Sequence, residues 1–482
     1  MKKKKILALL ITMIMLIGLL SACSSGGGEN SNGSDTSDKT TETTTEAAGQ
    51  EINTEDSGNE TSEEAGAAEF STRADYSIYK DKFKGETLTV WAWWDITEPE
   101  KEAWEQFEEL TGAKMDWVVI GWSEYTEKLI SSVSAGTGPD ICFFGAEAIP
   151  TYVKKNIILP VSDYVHFDRP AFTTYSPQAE RIIDYFTMDG KIYAIADQGP
   201  SSYKLYYRKD LLENAGLEDP YDLFVNGEWT WDKWFELMED VIQDLDGDGE
   251  IDVWGFDAWM GVTPFVYTNG ADYVIDGKFA VNTPEFIEAL EYYKKLKQPN
   301  YVWKPWEDGK DPQINLIAGA TVFNYWGAWE FENLRQNIGD NLGFVPFPKG
   351  PSATSDMADY YNPTVTGLAA SCKNPELAGV WLEYVRVPES LEAWEENKEK
   401  QRQNDIATYG SEELVDLAYD MGANGVIDAS ASYSGLSSVI DSIINDQEKS
   451  VTQAANEYLA SGQAIIDEVL KGTESNTETS GD

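Results

Sequence analysis

The chain has 482 residues, enough for two packed cores with extensions and too many for one typical domain. Asp and Glu number 84 against 36 Lys and Arg, so the net charge is -48; such a surface repels phosphate backbones and argues against a nucleic-acid partner. The sole histidine, His166, excludes multi-histidine zinc sites, and neither a G-x-S-x-G elbow nor a Walker A loop is present. Aromatic residues make up 12%, with 17 Trp and 25 Tyr, which gives a first hint of ligand chemistry.

The N-terminus reads as an address. Lys2–Lys5 are basic, Ile6–Leu20 form a 15-residue apolar run, and Leu20-Ser21-Ala22-Cys23 follow. That run is short for a membrane span and has the flanks of a secretory signal over residues 1–22. Small residues directly ahead of a cysteine resemble a bacterial lipoprotein lipobox. The resemblance implies cleavage before Cys23 and a diacylglycerol thioether on its sulfur, two acyl chains being enough for stable anchoring. Loss of four lysines with the signal takes the net charge from -48 to -52.

Residues 24–71 hold twelve acids, a single lysine and almost no bulky apolar side chain. They cannot bury enough surface to offset ordering entropy, so a disordered acidic tether is expected, with the globular part starting after residue 80. The polar tail 471–482 is expected to be flexible as well.

The globular part alternates strand and helix signals. Glu86–Ala92, Lys114–Ile120 and Ile141–Phe144 read as strands, with helical spacing over Glu98–Leu110 and Tyr125–Val133 between them. The alternation predicts an α/β protein with largely parallel sheets. Thr230 suits a helix cap, and the stripe Trp231, Trp234, Phe235, Met238, Val241, Ile242 and Leu245 predicts a core-facing helix to about 245.

Directly after it comes Asp244-Leu-Asp246-Gly-Asp248-Gly249-Glu250-Ile-Asp252. Carboxylates at loop positions 1, 3, 5 and 9, a glycine at 6 and a backbone carbonyl at Glu250 suit a hard cation. Position 12 is Gly255, so the bidentate glutamate of an EF-hand is missing. The expectation is a structural calcium remote from the chemistry, and no organic cofactor. Cys142 and Cys372 remain; export permits a disulfide, but Cys142 lies in an apolar strand pattern and buried free thiols are expected.

Several motifs in order resemble one family. Gly138-Pro139-Asp140-Ile141, Leu205-Tyr206-Tyr207-Arg208-Lys209-Asp210-Leu211, Gly227-Glu228-Trp229-Thr230-Trp231, Tyr325-Trp326-Gly327-Ala328-Trp329 and Asn374-Pro375-Glu376-Leu377-Ala378 span most of residues 85–470. Together with the lipobox they are similar to family 1 extracellular solute-binding lipoproteins, the carbohydrate-binding components of ABC importers and relatives of maltose-binding protein. The resemblance implies a two-lobed periplasmic-binding-protein-like fold with a multi-crossing hinge and a ligand cleft between the lobes. It places residues 85–200 and 364–398 in lobe one and 201–363 and 399–470 in lobe two. Chain crossings would fall near 199–203, 361–366 and 396–404. Implied partners are a carbohydrate and the permease subunits, with a monomeric protein lipid-anchored at the extracellular face of the bacterial membrane.

Sugars present apolar C–H faces and a rim of hydroxyls, so their sites want flat rings and hydrogen-bond acceptors. Trp93-Trp94-Asp95 supply both at the end of the first strand, where open α/β sheets place ligands. The resemblance adds Glu147 as a sugar-binding carboxylate and Trp329 and Tyr433 as aromatic platforms. Trp122, Trp259 and Trp326 are further candidates. Binding without catalysis is the leading expectation. The alternatives are the same fold holding a peptide or polyamine, and a secreted glycoside hydrolase with two opposed carboxylates.

Overall fold

A computed structural model describes residues 70–196, 203–258, 261–298, 301–304, 311–357, 360–361, 363–433 and 435–474. Cys23 and the signal segment lie outside the described residues, as do Trp259 and most of the first expected crossing.

Two mixed sheets organise the chain. The first contains β1 (Thr87–Ala92), β2 (Lys114–Val119), β3 (Ile141–Gly145), β4 (Ile158–Leu159) and β5 (Ile195–Ala196). The second contains β6 (Tyr203–Arg208), β7 (Trp254–Asp257), β8 (Thr321–Gly327) and β9 (Leu342–Val345). Short β10 (Tyr360–Tyr361) follows, then β11 (Thr364–Ala369), which returns to the first sheet, and β12 (Val426–Ile427), which pairs with β10. The first sheet is ordered β2-β1-β3-β11-β4, with β5 also on β11; the second is ordered β9-β6-β8-β7.

The sheets are less parallel than the alternation suggested. β1 runs parallel to β2 and β3, and β7 parallel to β8, but β6 and β11 run against their neighbours. The reason is connectivity. β6 and β11 are the strands entered when the chain changes sheets, so each starts where its neighbours end: Thr364 lies opposite Gly145, and Tyr203 opposite Gly327. A third passage is the helix Leu391–Tyr409. Its Trp394 packs edge-on against Tyr175 of lobe one, and its Tyr409 lies against Phe331 of lobe two.

Each lobe buries its own core. Lobe two holds the Trp231, Trp234, Met238 and Val241 face of the helix Trp231–Val241, with the Thr230 hydroxyl accepting from the Lys233 N–H at 3.3 Å. This helix stops at Val241, short of the expected 245. Ile242 turns extended, and Gln243 exchanges two backbone bonds with Val253 that close the Asp-rich loop at its base; Leu245 is left exposed.

The folded part also begins earlier than expected. Phe70 and Tyr76 are buried in lobe one, on and beside the turn Arg73–Tyr79, so residues 70–80 belong to the folded part. At the other end, the helix Val451–Glu474 runs past the expected start of the tail at 471. Cys142 and Cys372 are free thiols, both pushed well up by burial.

His166 proves to be structural. Glu383, only 1% exposed on the helix Pro375–Tyr384, accepts from the His166 N–H at 2.8 Å and from the Tyr76 hydroxyl at 3.3 Å. Its carboxylate also faces His166 Nδ1 at 2.9 Å and pairs with Arg169, whose guanidinium lies 3.8 Å from the Phe70 ring centre. One buried carboxylate thus ties three segments of lobe one together. Removing it leaves the half-buried Arg169 and the His166 and Tyr76 donors without their acceptor, so Glu383→Ala should cost about 3 kcal/mol in urea unfolding, with Glu383→Gln costing less.

Candidate functional site

The edge at which the chain changes sheets is also where the chemistry collects. β1 and β3 pair only at Val90–Ile141 and Trp91–Cys142 before they diverge. The Tyr125 hydroxyl fills the gap, donating to the Trp91 carbonyl at 2.8 Å and accepting from the Phe143 N–H at 3.0 Å. Backbone groups left unpaired by diverging strands are thereby satisfied, and the sheet is held open at its end. Trp93 leaves β1 at that point and packs edge-on against Trp94, Trp122 and Tyr125, with centroid distances of 4.9, 4.8 and 5.0 Å. Trp94 in turn lies 4.6 Å from Phe143, and its carbonyl accepts from the Trp117 indole at 3.0 Å. Trp122, at the start of the helix Trp122–Ser134, is 70% exposed. Asp95 is exposed and accepts from the Ile96 N–H at 2.9 Å.

Two turns of the same design end strands in the two sheets. β3 ends in Gly145-Ala146-Glu147 and β8 in Gly327-Ala328-Trp329, each passing directly into a 3-10 turn. In each, the side chain two residues on folds back over the glycine. A Cβ at Gly145 would overlap the Glu147 carboxylate, and one at Gly327 would overlap the Trp329 indole. The missing side chain at each glycine leaves the room into which the carboxylate and the indole fold.

Tyr203 joins the two turns. Its ring meets Trp329 edge-on at 5.4 Å. Its hydroxyl is pushed up to about 12, by burial first and by the Glu147 charge second. A carboxylate from lobe one and a 62% exposed indole from lobe two thus share one tyrosine neighbour. Tyr185, on the helix Glu180–Phe186, also has Glu147 as an electrostatic neighbour and is raised chiefly by burial.

The structure separates the remaining candidates. Trp326 packs against the smaller lobe-two cluster containing Tyr206, and half-buried Tyr433 packs against the main lobe-two core. Trp259 lies outside the described residues. Tyr125, Tyr203 and Tyr185 escaped the sequence reading; the repeated Gly-Ala-X at two strand ends was the available signal. Two cavities of about 250 and 260 Å³ lie elsewhere, one lined by Tyr207 and Asp219, the other by Trp117 and Trp381. Neither is lined by Glu147 or Trp329.

In the Asp-rich loop, Asp244, Asp246 and Asp252 bring carboxylate oxygens within 4.8 Å of one another, all three side chains being exposed. Asp248 and Glu250 stand outside that group. The Gly247 and Gly249 N–H groups donate to Asp244 at 2.7 and 2.9 Å and hold its carboxyl below the usual range. Among the described residues, no helix is long and apolar enough to cross a membrane.

Comparison with known proteins agrees with this layout. An ABC substrate-binding protein of Listeria monocytogenes, solved with cycloalternan, superposes with a TM-score of 0.60 at 17% identity over 80% of this chain and 99% of that one, a likeness of fold. A binding protein of Brucella abortus is 27% identical over 276 residues, 52% of this chain and 59% of that protein. The diacetylchitobiose binding protein of Streptomyces coelicolor is 25% identical over 313 residues, 63% of this chain and 69% of that one. The family model of bacterial extracellular solute-binding proteins matches residues 102–398, more than half of the chain. On that match, and with the two-lobed fold in agreement, the chain belongs to the bacterial extracellular solute-binding proteins.

Proposed function

We propose that the protein captures a carbohydrate, an oligosaccharide, between its lobes and delivers it to the permease of an ABC importer without altering it. The observation that carries this reading is the pairing of an exposed indole, Trp329, with the Glu147 carboxylate around Tyr203. An aromatic face covers the C–H side of a sugar ring, while a carboxylate accepts from hydroxyls at its rim. Trp93, Trp94, Trp122 and Asp95 extend the same chemistry along lobe one. The diacetylchitobiose and cycloalternan bound by the relatives above support the sugar class. Closure of the lobes about their crossings would exclude water from these contacts.

The protein would act as a monomer at the extracellular face of the membrane, held there by a lipid on Cys23. In lobe two, Asp244, Asp246 and Asp252 would hold a structural calcium, a set of hard oxygen donors for a hard cation.

Three outcomes are expected. Calorimetry against diacetylchitobiose, maltotriose and mannotriose should find binding with no turnover. Trp329→Ala and Glu147→Gln should each weaken it roughly ten- to a hundredfold, as expected for a charged acceptor bond of about 1.5–3 kcal/mol. Binding of a polyamine or peptide in place of every sugar would sink the carbohydrate reading, and steady cleavage would make the protein an enzyme.

Chelator should lower the melting temperature of calcium-loaded protein, and Asp244→Ala with Asp246→Ala should erase the difference. At a hundredfold excess over Kd the ion stabilises by about 2.7 kcal/mol. Superimposable melts with and without chelator would rule the calcium out.

Replacing Cys23 by serine should release the protein from membranes or leave it unprocessed. Acyl-labelled membrane protein in that variant would refute the anchor.

A further inference from the structure

The segment that follows β12 is fastened to the two lobes in alternation. Ile427 is buried in the lobe-one cluster that contains Tyr152 and Phe186. Asp428, 6% exposed, accepts at 2.9 Å from the Tyr267 hydroxyl, which belongs to the helix Thr263–Thr268 of lobe two. Four residues later Ser432, 4% exposed, returns to lobe one. Its Oγ donates to the Glu147 carbonyl at 2.6 Å and lies 3.4 Å from the Tyr185 hydroxyl. Tyr433 and Leu436 then pack into the lobe-two core.

A plain connection between domains runs over the surface and leaves its polar groups to water. This one buries Asp428 and Ser432 and spends their side chains on opposite lobes. The Ser432 bond grips the backbone of the turn Ala146–Ala148, the turn that carries the Glu147 carboxylate over Gly145.

We propose that Ser432 is a positioning residue of the sugar site. It fixes the Glu147 turn from a strap whose other anchorage, Asp428 to Tyr267, is in lobe two, so that placing Glu147 and closing the lobes are one event. The proposal rests on the carbohydrate reading above for its ligand, but its mechanical part stands without one.

Ser432→Ala tests both parts. Amide hydrogen exchange on the unliganded protein should accelerate several-fold over residues 145–149 and stay unchanged in β1. Among diacetylchitobiose, maltotriose and mannotriose, the sugar that the parent protein binds should lose about five- to tenfold in affinity, the range for one hydrogen bond. Ser432→Thr, which keeps the hydroxyl, should recover most of that loss. In a Glu147→Ala background the further effect of Ser432→Ala on affinity should vanish, because Ser432 acts through that carboxylate.

Additive losses, or unaltered exchange at 145–149 despite a lower melting temperature, would overturn the proposal and leave Ser432 an ordinary structural contact. If Ser432→Ala does not fold, Tyr267→Phe cuts the strap at its lobe-two anchorage. It should still accelerate exchange at 145–149 across the lobe boundary, and no change there would equally overturn it. Should the parent protein bind none of the three sugars, the carbohydrate reading falls while the exchange data still decide the mechanical part.

Discussion

β6 and β11 each start at the sheet edge where a neighbouring strand ends, and that constraint shapes the rest of the molecule. A strand entered from that edge must run against strands that end there, which is why β6 and β11 are antiparallel to β8 and β3. Strand ends are also where peptide groups run out of ladder partners. The protein meets that cost with the Tyr125 hydroxyl between β1 and β3, and with tight turns after Gly145 and Gly327. Side chains fixed at the strand ends are the by-product of ending strands without leaving buried polar groups unpaired.

The two turns share a backbone design and differ in what they carry. On lobe one the folded-back side chain is a carboxylate, and on lobe two it is an indole. Tyr203, the first residue of β6, meets the Trp329 ring edge-on and has Glu147 as an electrostatic neighbour, because a strand that starts at the edge lies beside one that ends there. The ring comes from lobe two and the carboxylate from lobe one, so neither lobe supplies both. Rigid turns on sheet ends place those groups more reproducibly than a long loop would.

Elsewhere in lobe one, Glu383 collects Tyr76, His166 and Arg169 from separate segments. This network accounts for the sole histidine, which is held by Glu383. It also explains why the chain is already folded at Phe70: the Arg169 guanidinium on that ring and the burial of Tyr76 outweigh the polar composition around them.

Local pattern was enough to read much of this. Strand signals at Glu86–Ala92 and the apolar run Ile141–Phe144 marked β1 and β3, Thr230 and the tryptophan stripe marked the lobe-two helix, and ordered motifs carried the two-lobed fold. Trp93 was singled out because it follows a strand signal directly, whereas Glu147 and Trp329 came from the family resemblance. Where the reading overran, tertiary pairing had overridden spacing: Ile242 and Leu245 continue the helical stripe, but the Gln243–Val253 bridge ends the helix at Val241. Phe70 and Tyr76 were lost in polar sequence because two apolar anchors make no period. Tyr125 and Ser432 were invisible for a deeper reason. Their bonds go to backbone atoms 34 and 285 residues away, and any residue could supply those atoms. The sequence by itself determined which segments could bury apolar faces, because that depends on side-chain order along a few turns. Only the tertiary structure decided which strand ends meet and which hydroxyl fills the gap, because those contacts exist only once the chain has crossed between its lobes.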